Sequence, residues 1–199
     1  MGTGNLHNTS APHIFAYHIN KYLRDDAELE PNVVFSTCCG NFSVNFVVFV
    51  RHKPITGFQF TNKRFLMDSD EEWRDAMILG DRHLENIYSI PEIGIKRNID
   101  DVLYAISQWN PNIFSARGLI NLQNLASTPA RKAKIAPNEP FIWIYYSPDP
   151  ERDSLWVEQR WIGLDEHVDG LYRFAKSQFG KTLEEIRATY DAKILGRRV

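Results

Sequence analysis

The sequence is poor in cysteine and has no long apolar run, and both absences narrow the class of protein. Its only two cysteines, Cys38 and Cys39, are adjacent, so a network of disulfides cannot hold the fold together. Apolar stretches stay well short of the roughly 18 to 20 residues that a membrane-spanning helix needs. The first residues lack the basic segment and apolar core of a secretion signal. We therefore expect a cytoplasmic protein that has no membrane partner.

Acidic residues are absent from one long segment of the chain. Residues 102–138 contain no Asp or Glu, although the whole chain has 25 acidic residues and a formal net charge of −2. The segment contains four basic residues, Arg117, Arg131, Lys132 and Lys134. A concentration of positive charge attracts anionic partners, so we expect these residues to contact nucleic acid or an acidic protein surface. The alternative is an ordinary solvated loop whose charges pair with acids elsewhere.

The composition predicts a globular chain that buries a substantial core. Hydrophobic residues make up 43% of the 199 residues and aromatic residues 13%, which is too apolar for a disordered protein. The length suits one domain of ordinary size. We therefore expect a single α+β domain over residues 12–199, preceded by a mobile segment, 1–11, that is rich in Gly, Asn and Thr.

The order of strand and helix signals predicts the fold class. After a first helix over 12–24, three β-branched and aromatic runs are separated by turn residues at 38–41 and by Pro54. Connections this short join antiparallel strands. Two further strands are expected on either side of the turn 147–154. Because single strands do not alternate with single helices, we expect an α+β fold with a largely antiparallel sheet of about five strands.

Helix start and stop signals divide the middle of the chain. Ser69 and Glu72 have the spacing of a capping box, and Gly80 lies where a helix-terminating glycine belongs. Asn98 is predicted to cap the next helix, and a further helix is expected over 115–126. These helices are expected to pack against the sheet.

The segment Ala175–Thr182, with the sequence AKSQFGKT, is close to the phosphate-binding pattern G-x-x-x-x-G-K-[ST]. A phosphate-binding loop has to follow a strand and begin a helix, whereas the residues before Gly180 have the spacing of an amphipathic helix. Gly180 is better explained as the end of that helix, and Thr182 with Glu185 as the capping box of the next. We therefore expect a C-terminal helical hairpin and no nucleotide at Gly180–Thr182.

The adjacent Cys38 and Cys39 are candidates for a nucleophile, a metal site or a redox pair. A nucleophile needs a neighbouring base, which the sequence does not assign, and two adjacent thiols lack the spacing of a four-ligand zinc site. Adjacent residues of a strand also point to opposite faces. We therefore interpret both as small buried apolar residues beside a turn and leave open whether either thiol is reactive.

Asp149 lies within the turn 147–154, and Glu158 follows it in the next predicted strand. Pro148-Asp149, followed by Glu158-Gln159-Arg160, resembles the PD-(D/E)xK nucleases, in which two acids bind Mg²⁺ and a lysine helps to activate water. Arg160 stands where that family has lysine, and a guanidinium does not readily act as a base. The resemblance implies a metal-dependent phosphodiesterase that uses Asp149 and Glu158, and the alternative is a solvated turn.

The sequence as a whole favours a non-catalytic binding protein over an enzyme. This interpretation assigns no catalytic residue, metal ligand or cofactor, and its contact residues are Arg117, Arg131, Lys132 and Lys134. Two alternatives stay open: the phosphodiesterase, and a structural subunit of a larger assembly, which the high aromatic content suggests.

Overall fold

The computed structural model of the chain describes residues 10–61, 69–125, 141–146, 155–158 and 164–193. Within these residues the fold is α+β, and the strands form one mixed sheet with the order β1-β2-β3-β4-β5-β6. The strands are β1 Ala27–Thr37, β2 Gly40–Val50, β3 Lys53–Thr61, β4 Asn86–Pro91, β5 Phe141–Tyr146 and β6 Leu155–Glu158. The structure describes both the backbone and the side chains of β1 to β4. For β5 and β6, which continue the same sheet, it describes the backbone.

The first three strands form the antiparallel meander that their short connections predict. β1 pairs with β2 and β2 pairs with β3, both in the antiparallel sense. Cys38 and Cys39 form the two-residue turn between β1 and β2, because Thr37 pairs with Gly40. The prediction of a turn at 38–41 is therefore confirmed.

The centre of the sheet is parallel, which corrects the expectation of a largely antiparallel sheet of about five strands. β3 pairs with β4 and β4 with β5 in the parallel sense, and β5 and β6 are antiparallel. The strand that the sequence pattern misses is β4, in which all six residues are buried. A strand that is buried on both faces has no alternation of polar and apolar residues, so periodicity does not reveal it.

The strands β2 and β3 separate beyond the last pair of their ladder, near the tip of the β1–β2 hairpin. Two amide side chains bond to the backbone of the opposite strand at this point. Asn45 Oδ1 accepts a hydrogen bond from the Phe60 amide at 3.1 Å, and Gln59 Nε2 donates to the Ser43 carbonyl oxygen at 3.1 Å. These bonds satisfy backbone groups that the sheet no longer pairs, so the strands diverge without leaving those groups unbonded.

The helices of the described residues pack on both faces of the sheet. They are α1 Ala11–Ile19, α2 Ser69–Gly80, α3 Glu92–Trp109, α4 Ala116–Leu125, α5 Leu164–Ser177 and α6 Leu183–Lys193. Side chains of α1, α3 and α4 share one hydrophobic cluster, and those of α2, α5 and α6 share another. The adjacent residues Ile87 and Tyr88 of β4 belong to different clusters, because successive strand residues point to opposite faces. We call these sides of the molecule the α1 face and the α2 face.

The core of the α1 face is built around stacked aromatic rings. Phe15 of α1 is fully buried, and its ring centroid lies 4.9 Å from that of Phe58, which stacks on Tyr88 at 5.4 Å. Asn110, just after α3, accepts hydrogen bonds from the Tyr88 hydroxyl and, at 2.7 Å, from the Asn86 side-chain amide. Each buried aromatic side chain contributes about 1.5–3 kcal/mol through the hydrophobic effect, so these contacts anchor α1 and α3 to the sheet.

The core of the α2 face depends on contacts between helices. The Tyr190 ring of α6 makes edge contacts with Trp73 of α2 at 5.1 Å and with Phe174 of α5 at 5.2 Å. Gly80 is the last residue of α2, and a Cβ added there would lie 2.6 Å from a ring carbon of Tyr172. α2 ends at Gly80 as expected, but the left-handed residue beyond its end is Arg82, with a φ of 57°, and the small size of Gly80 serves the approach of α5.

Two helix boundaries differ from the sequence prediction. α1 ends before the expected helix over 12–24 does, because Leu23 leaves the helix to form an isolated β-bridge with Phe114. α3 begins at Glu92, well before the expected cap at Asn98. Its N-terminal residue follows a proline with φ of −69°, a value that already suits the start of a helix.

The backbone between α5 and α6 is that of a helix end followed by a helix cap. Gly180 has a φ of 86°, the left-handed conformation that glycine adopts most easily. The Thr182 amide donates to Glu185 Oε2 at 2.8 Å, and the Glu185 amide donates to Thr182 Oγ1 at 3.3 Å. These bonds form the predicted capping box. The pKa of Glu185 is lowered because its carboxylate accepts hydrogen bonds from the Thr182 amide and, at 3.1 Å, from the Thr182 hydroxyl.

Candidate functional site

The exposed side of α4 carries the described part of the predicted contact surface. Arg117 is exposed in the first turn of α4, whereas Arg131, Lys132 and Lys134 lie outside the described residues. The other exposed side chains near it are amide or apolar, namely Ile120, Asn121, Gln123, Asn124 and Leu125. Because α4 contains no Asp or Glu, the charge of Arg117 is not balanced within its own helix.

The start of α4 is attached to the chain that follows α1. The Ser115 amide donates to the Tyr22 carbonyl oxygen at 3.0 Å, and Ser115 Oγ accepts the Gly118 amide at 3.0 Å, which caps the helix. A Cβ added to Gly118 would overlap the Tyr22 carbonyl oxygen and lie 3.1 Å from its carbonyl carbon. Gly118 therefore allows the close approach of α4 to this segment.

The segment that α4 contacts belongs to a second acid-free part of the chain. Residues 1–24 contain no Asp or Glu, and their described part consists of α1 and the turn after it. The Arg24 amide also donates to the Ile113 carbonyl oxygen at 3.1 Å. The tertiary structure thus brings together two acid-free segments that are distant in sequence. Only the segment 102–138 is predicted to be a contact surface, although the sequence shows equally well that residues 1–24 contain no Asp or Glu.

Tyr17 and Lys21 form a pair on the exposed side of α1. Tyr17 is 66% exposed, and Lys21 Nζ lies 3.9 Å from the centroid of its ring, within the range of a cation–π contact. The neighbouring His18 is partly buried; burial and the Lys21 ammonium lower its pKa, while Asp100 of α3 acts in the opposite direction. His18 is therefore largely neutral at pH 7, and Lys21 supplies the positive charge on this part of α1.

Two acidic residues, Asp25 and Asp26, directly follow the acid-free segment 1–24. Asp26 binds Arg24 and also Arg51, whose Nε lies 2.8 Å from Asp26 Oδ2. The hydrogen bonds from Arg24 and then Arg51 lower the pKa of Asp26. Arg24 additionally donates to the Asn112 carbonyl oxygen at 3.2 Å. Because Arg24 is engaged in these bonds, its charge is largely balanced within the fold.

Cys38 and Cys39 both pack against the core of the α2 face. The expectation that they point to opposite faces is wrong, because they form a two-residue turn and not part of a strand. Cys38 Sγ lies 3.9 Å from Met77 Sδ. Burial is the main cause that raises the pKa of Cys38 to about 11, and it raises the pKa of Cys39 as well. A thiol that stays protonated at neutral pH is a poor nucleophile, which favours the apolar interpretation.

A hydrogen-bonded group connects the Cys38 turn with α2 and α5. Asp81 accepts hydrogen bonds from the Tyr172 hydroxyl and, at 3.3 Å, from the Cys38 amide. The bond to Asp81 is the main cause that raises the pKa of Tyr172 to about 12. Tyr172 is therefore neutral at physiological pH, and the arrangement joins elements of the α2 face without supplying an activated base.

Asp75 is a buried carboxyl group in α2. Arg74 Nε donates to its Oδ1 at 3.2 Å, whereas Oδ2 has no hydrogen-bond partner among the described residues. Burial raises the pKa of Asp75 to about 6. Within the part of the chain that the structure describes, no group of three or more His, Cys, Asp or Glu residues could hold a metal ion. We therefore interpret Asp75 as a source of pH-dependent stability.

The acid pair of the nuclease resemblance is described only in part. Asp149 and Arg160 lie outside the described residues, and Glu158 is the last residue of β6. Glu158 pairs with Trp143 of β5, at the end of β6 that is remote from the connection 147–154. The described residues do not test whether Asp149 and Glu158 share a metal, so the phosphodiesterase stays a prediction.

Comparisons with known proteins add no analogy for this surface. The chain matches no protein-family profile, no curated protein and no solved structure. Among the helices of the described residues, none is long and apolar enough to cross a membrane. The functional proposal therefore depends on the geometry and charge of the chain itself.

Proposed function

We propose that this chain is a non-catalytic, cytoplasmic binding protein that contacts an anionic partner through the acid-free segment 102–138. The observation that carries the proposal is the exposed side of α4, where Arg117 lies among amide side chains in a helix without acids. Arg131, Lys132 and Lys134 follow in the same segment, which therefore carries four positive charges. Polyanions and acidic protein surfaces bind such a concentration of charge.

Two further properties are consistent with this proposal. Cys38 and Cys39 are free thiols, as expected in a reducing compartment such as the cytoplasm. Their raised pKa values also make them unsuitable as nucleophiles at neutral pH. Among the described residues, none favours the phosphodiesterase or the structural-subunit alternative over a binding role.

The test compares two variants that remove the same number of positive charges. In the first, the four basic residues of the segment become alanine: Arg117, Arg131, Lys132 and Lys134. In the control, four exposed lysines from other parts of the chain become alanine: Lys53, Lys176, Lys181 and Lys193. Binding of labelled heparin and of a labelled oligonucleotide is measured by fluorescence anisotropy at several salt concentrations. Both variants change the net charge equally, so a difference between them reports on position.

We expect the first variant to lose affinity by at least about tenfold and the control to retain it, because only the first removes the contacts with the anion. The dependence of binding on salt should also become weaker, by about one unit of slope for each contact removed. Equal losses of affinity in the two variants would mean that binding depends on net charge and not on the position of these residues, which would contradict the proposal. Unchanged affinity in the first variant would contradict the proposal.

A further inference from the structure

Lys21 of the turn after α1 and Arg117 of α4 are brought together by the contact between Tyr22 and Gly118. Gly118 is in contact with the Tyr22 carbonyl oxygen. Lys21 precedes Tyr22 and Arg117 precedes Gly118, each by one Cα–Cα step of about 3.8 Å. The Cα atoms of Lys21 and Arg117 are therefore within about 14 Å of each other. Both side chains are exposed. Two long cationic side chains at this separation can contact the same extended polyanion.

The surface around these two residues has little negative charge to oppose a polyanion. α1, the turn after it and α4 contain no Asp or Glu. Asp100 of α3 is the acid that acts on His18 and Tyr22, Asp26 is bound to two arginines, and the exposed Asp25 lies just beyond the acid-free segment. The positive field therefore extends from α4 across to α1, beyond the segment 102–138 of the proposed function.

The Tyr17 ring adds a property that an acidic protein surface does not require. Tyr17 is 66% exposed, and the Lys21 ammonium lies against its ring at 3.9 Å. An exposed aromatic ring with a cation over one face can stack with a base on its other face while the cation meets the adjacent phosphate. The amide side chains of Asn20 and Asn121 are also exposed and can bond to base edges. Stacking of this kind requires an unpaired base, because the faces of paired bases are covered inside a duplex.

We infer that the anionic partner is a single-stranded nucleic acid, which binds across α1 and α4 with a base stacked on Tyr17 and phosphates against Lys21 and Arg117. The inference rests on the proposed function, since it identifies the partner of the same acid-free surface. It adds α1 to that surface, and it assigns a base-stacking role to a residue that carries no charge.

The test separates stacking from charge by using three probes on the full chain. They are a labelled oligothymidylate of about 16 nucleotides, a duplex of the same length, and inorganic polyphosphate, which has the charge without the bases. We expect Tyr17→Ala to weaken binding of the oligothymidylate by about tenfold and to leave the affinity for polyphosphate unchanged. Tyr17→Trp keeps a stacking surface and should retain binding. Lys21→Ala with Arg117→Ala should weaken binding of both the oligothymidylate and polyphosphate.

The fold of each variant is checked by circular dichroism, and the exposure of Tyr17 leads us to expect no change. If the wild-type chain binds polyphosphate but Tyr17→Ala leaves the affinity for the oligothymidylate unchanged, the single-stranded inference is wrong and the proposal of an anionic partner stands. Duplex binding as tight as that of the single strand would overturn the inference in the same way. If the wild-type chain binds none of the three probes, the proposed function fails together with it.

Discussion

The helices on the two faces of the sheet differ sharply in charge. α2, α5 and α6 together contain ten acidic and five basic residues, whereas α1, α3 and α4 contain three of each. A polyanion is repelled by the first set and meets an acid-free surface on α1 and α4. The net charge of −2 therefore describes neither face, because most of the helical acids belong to the helices of the α2 face.

The faces also differ in where their titratable groups lie. The α2 face buries Asp75, whose pKa is raised to about 6, so its stability responds to pH. The charges that we assign to binding on the α1 face, Lys21 and Arg117, are exposed. Exposed charges affect the affinity for a partner more than the stability of the fold.

The largest expected effect on stability concerns the buried carboxyl group of Asp75 on the α2 face. A folded-state pKa of about 6, against an ordinary value of 3.8, means that ionisation of Asp75 destabilises the fold. This cost is absent below the ordinary pKa, grows as the pH rises toward 6, and reaches about 3 kcal/mol above it. We therefore expect Asp75→Asn to raise the free energy of unfolding by about 3 kcal/mol near pH 8 and by little near pH 4.

Urea unfolding at the two pH values measures this difference. Asp25→Asn is the matched control, because it removes an exposed carboxyl group, and it should change the stability little at either pH. A lower stability of Asp75→Asn than of the wild type near pH 8 would mean that the carboxylate has a stabilising partner. In that case the pH dependence that Asp75 gives to the α2 face would have the opposite sign.

An intermediate effect is expected from the two close-packed glycines, one on each face. Gly118→Ala and Gly80→Ala should each cost about 2 kcal/mol, because the new methyl group overlaps the Tyr22 carbonyl in one case and the Tyr172 ring in the other. Only Gly118→Ala displaces α4 from the chain after α1, so it alone should also weaken binding of the oligothymidylate. Denaturant unfolding and anisotropy on the same samples test both statements. Weaker binding by Gly80→Ala would show that the faces are coupled.

The smallest expected effect concerns the electrostatics of α1. Lys21→Ala removes a positive charge beside His18 and should raise the pKa of His18 toward its ordinary value. The recovery should be partial, because burial is the larger cause of the lowered pKa. NMR titration of the His18 ring measures the shift, and Lys176→Ala on α5 is the control. An unchanged pKa would place Lys21 farther from His18 than the cation–π contact with Tyr17 implies.

Features that depend on neighbouring residues follow directly from the sequence. The turn at Cys38–Cys39 and the capping box of Thr182 and Glu185 each involve residues within four positions of one another, so local patterns suffice to predict them. The parallel centre of the sheet does not follow in this way. β4 is short and buried on both faces, and its partners β3 and β5 lie far from it along the chain.

The same distinction applies to the candidate site. The sequence alone shows that acidic residues are absent from 102–138, and it predicts a helix over 115–126 that contains Arg117. That this helix meets the chain after α1 follows only from the tertiary structure, because the contact depends on Gly118 packing against the Tyr22 carbonyl oxygen, a pairing between residues far apart in the chain. Composition records which charges a segment lacks, whereas a binding surface depends on which segments the fold places side by side.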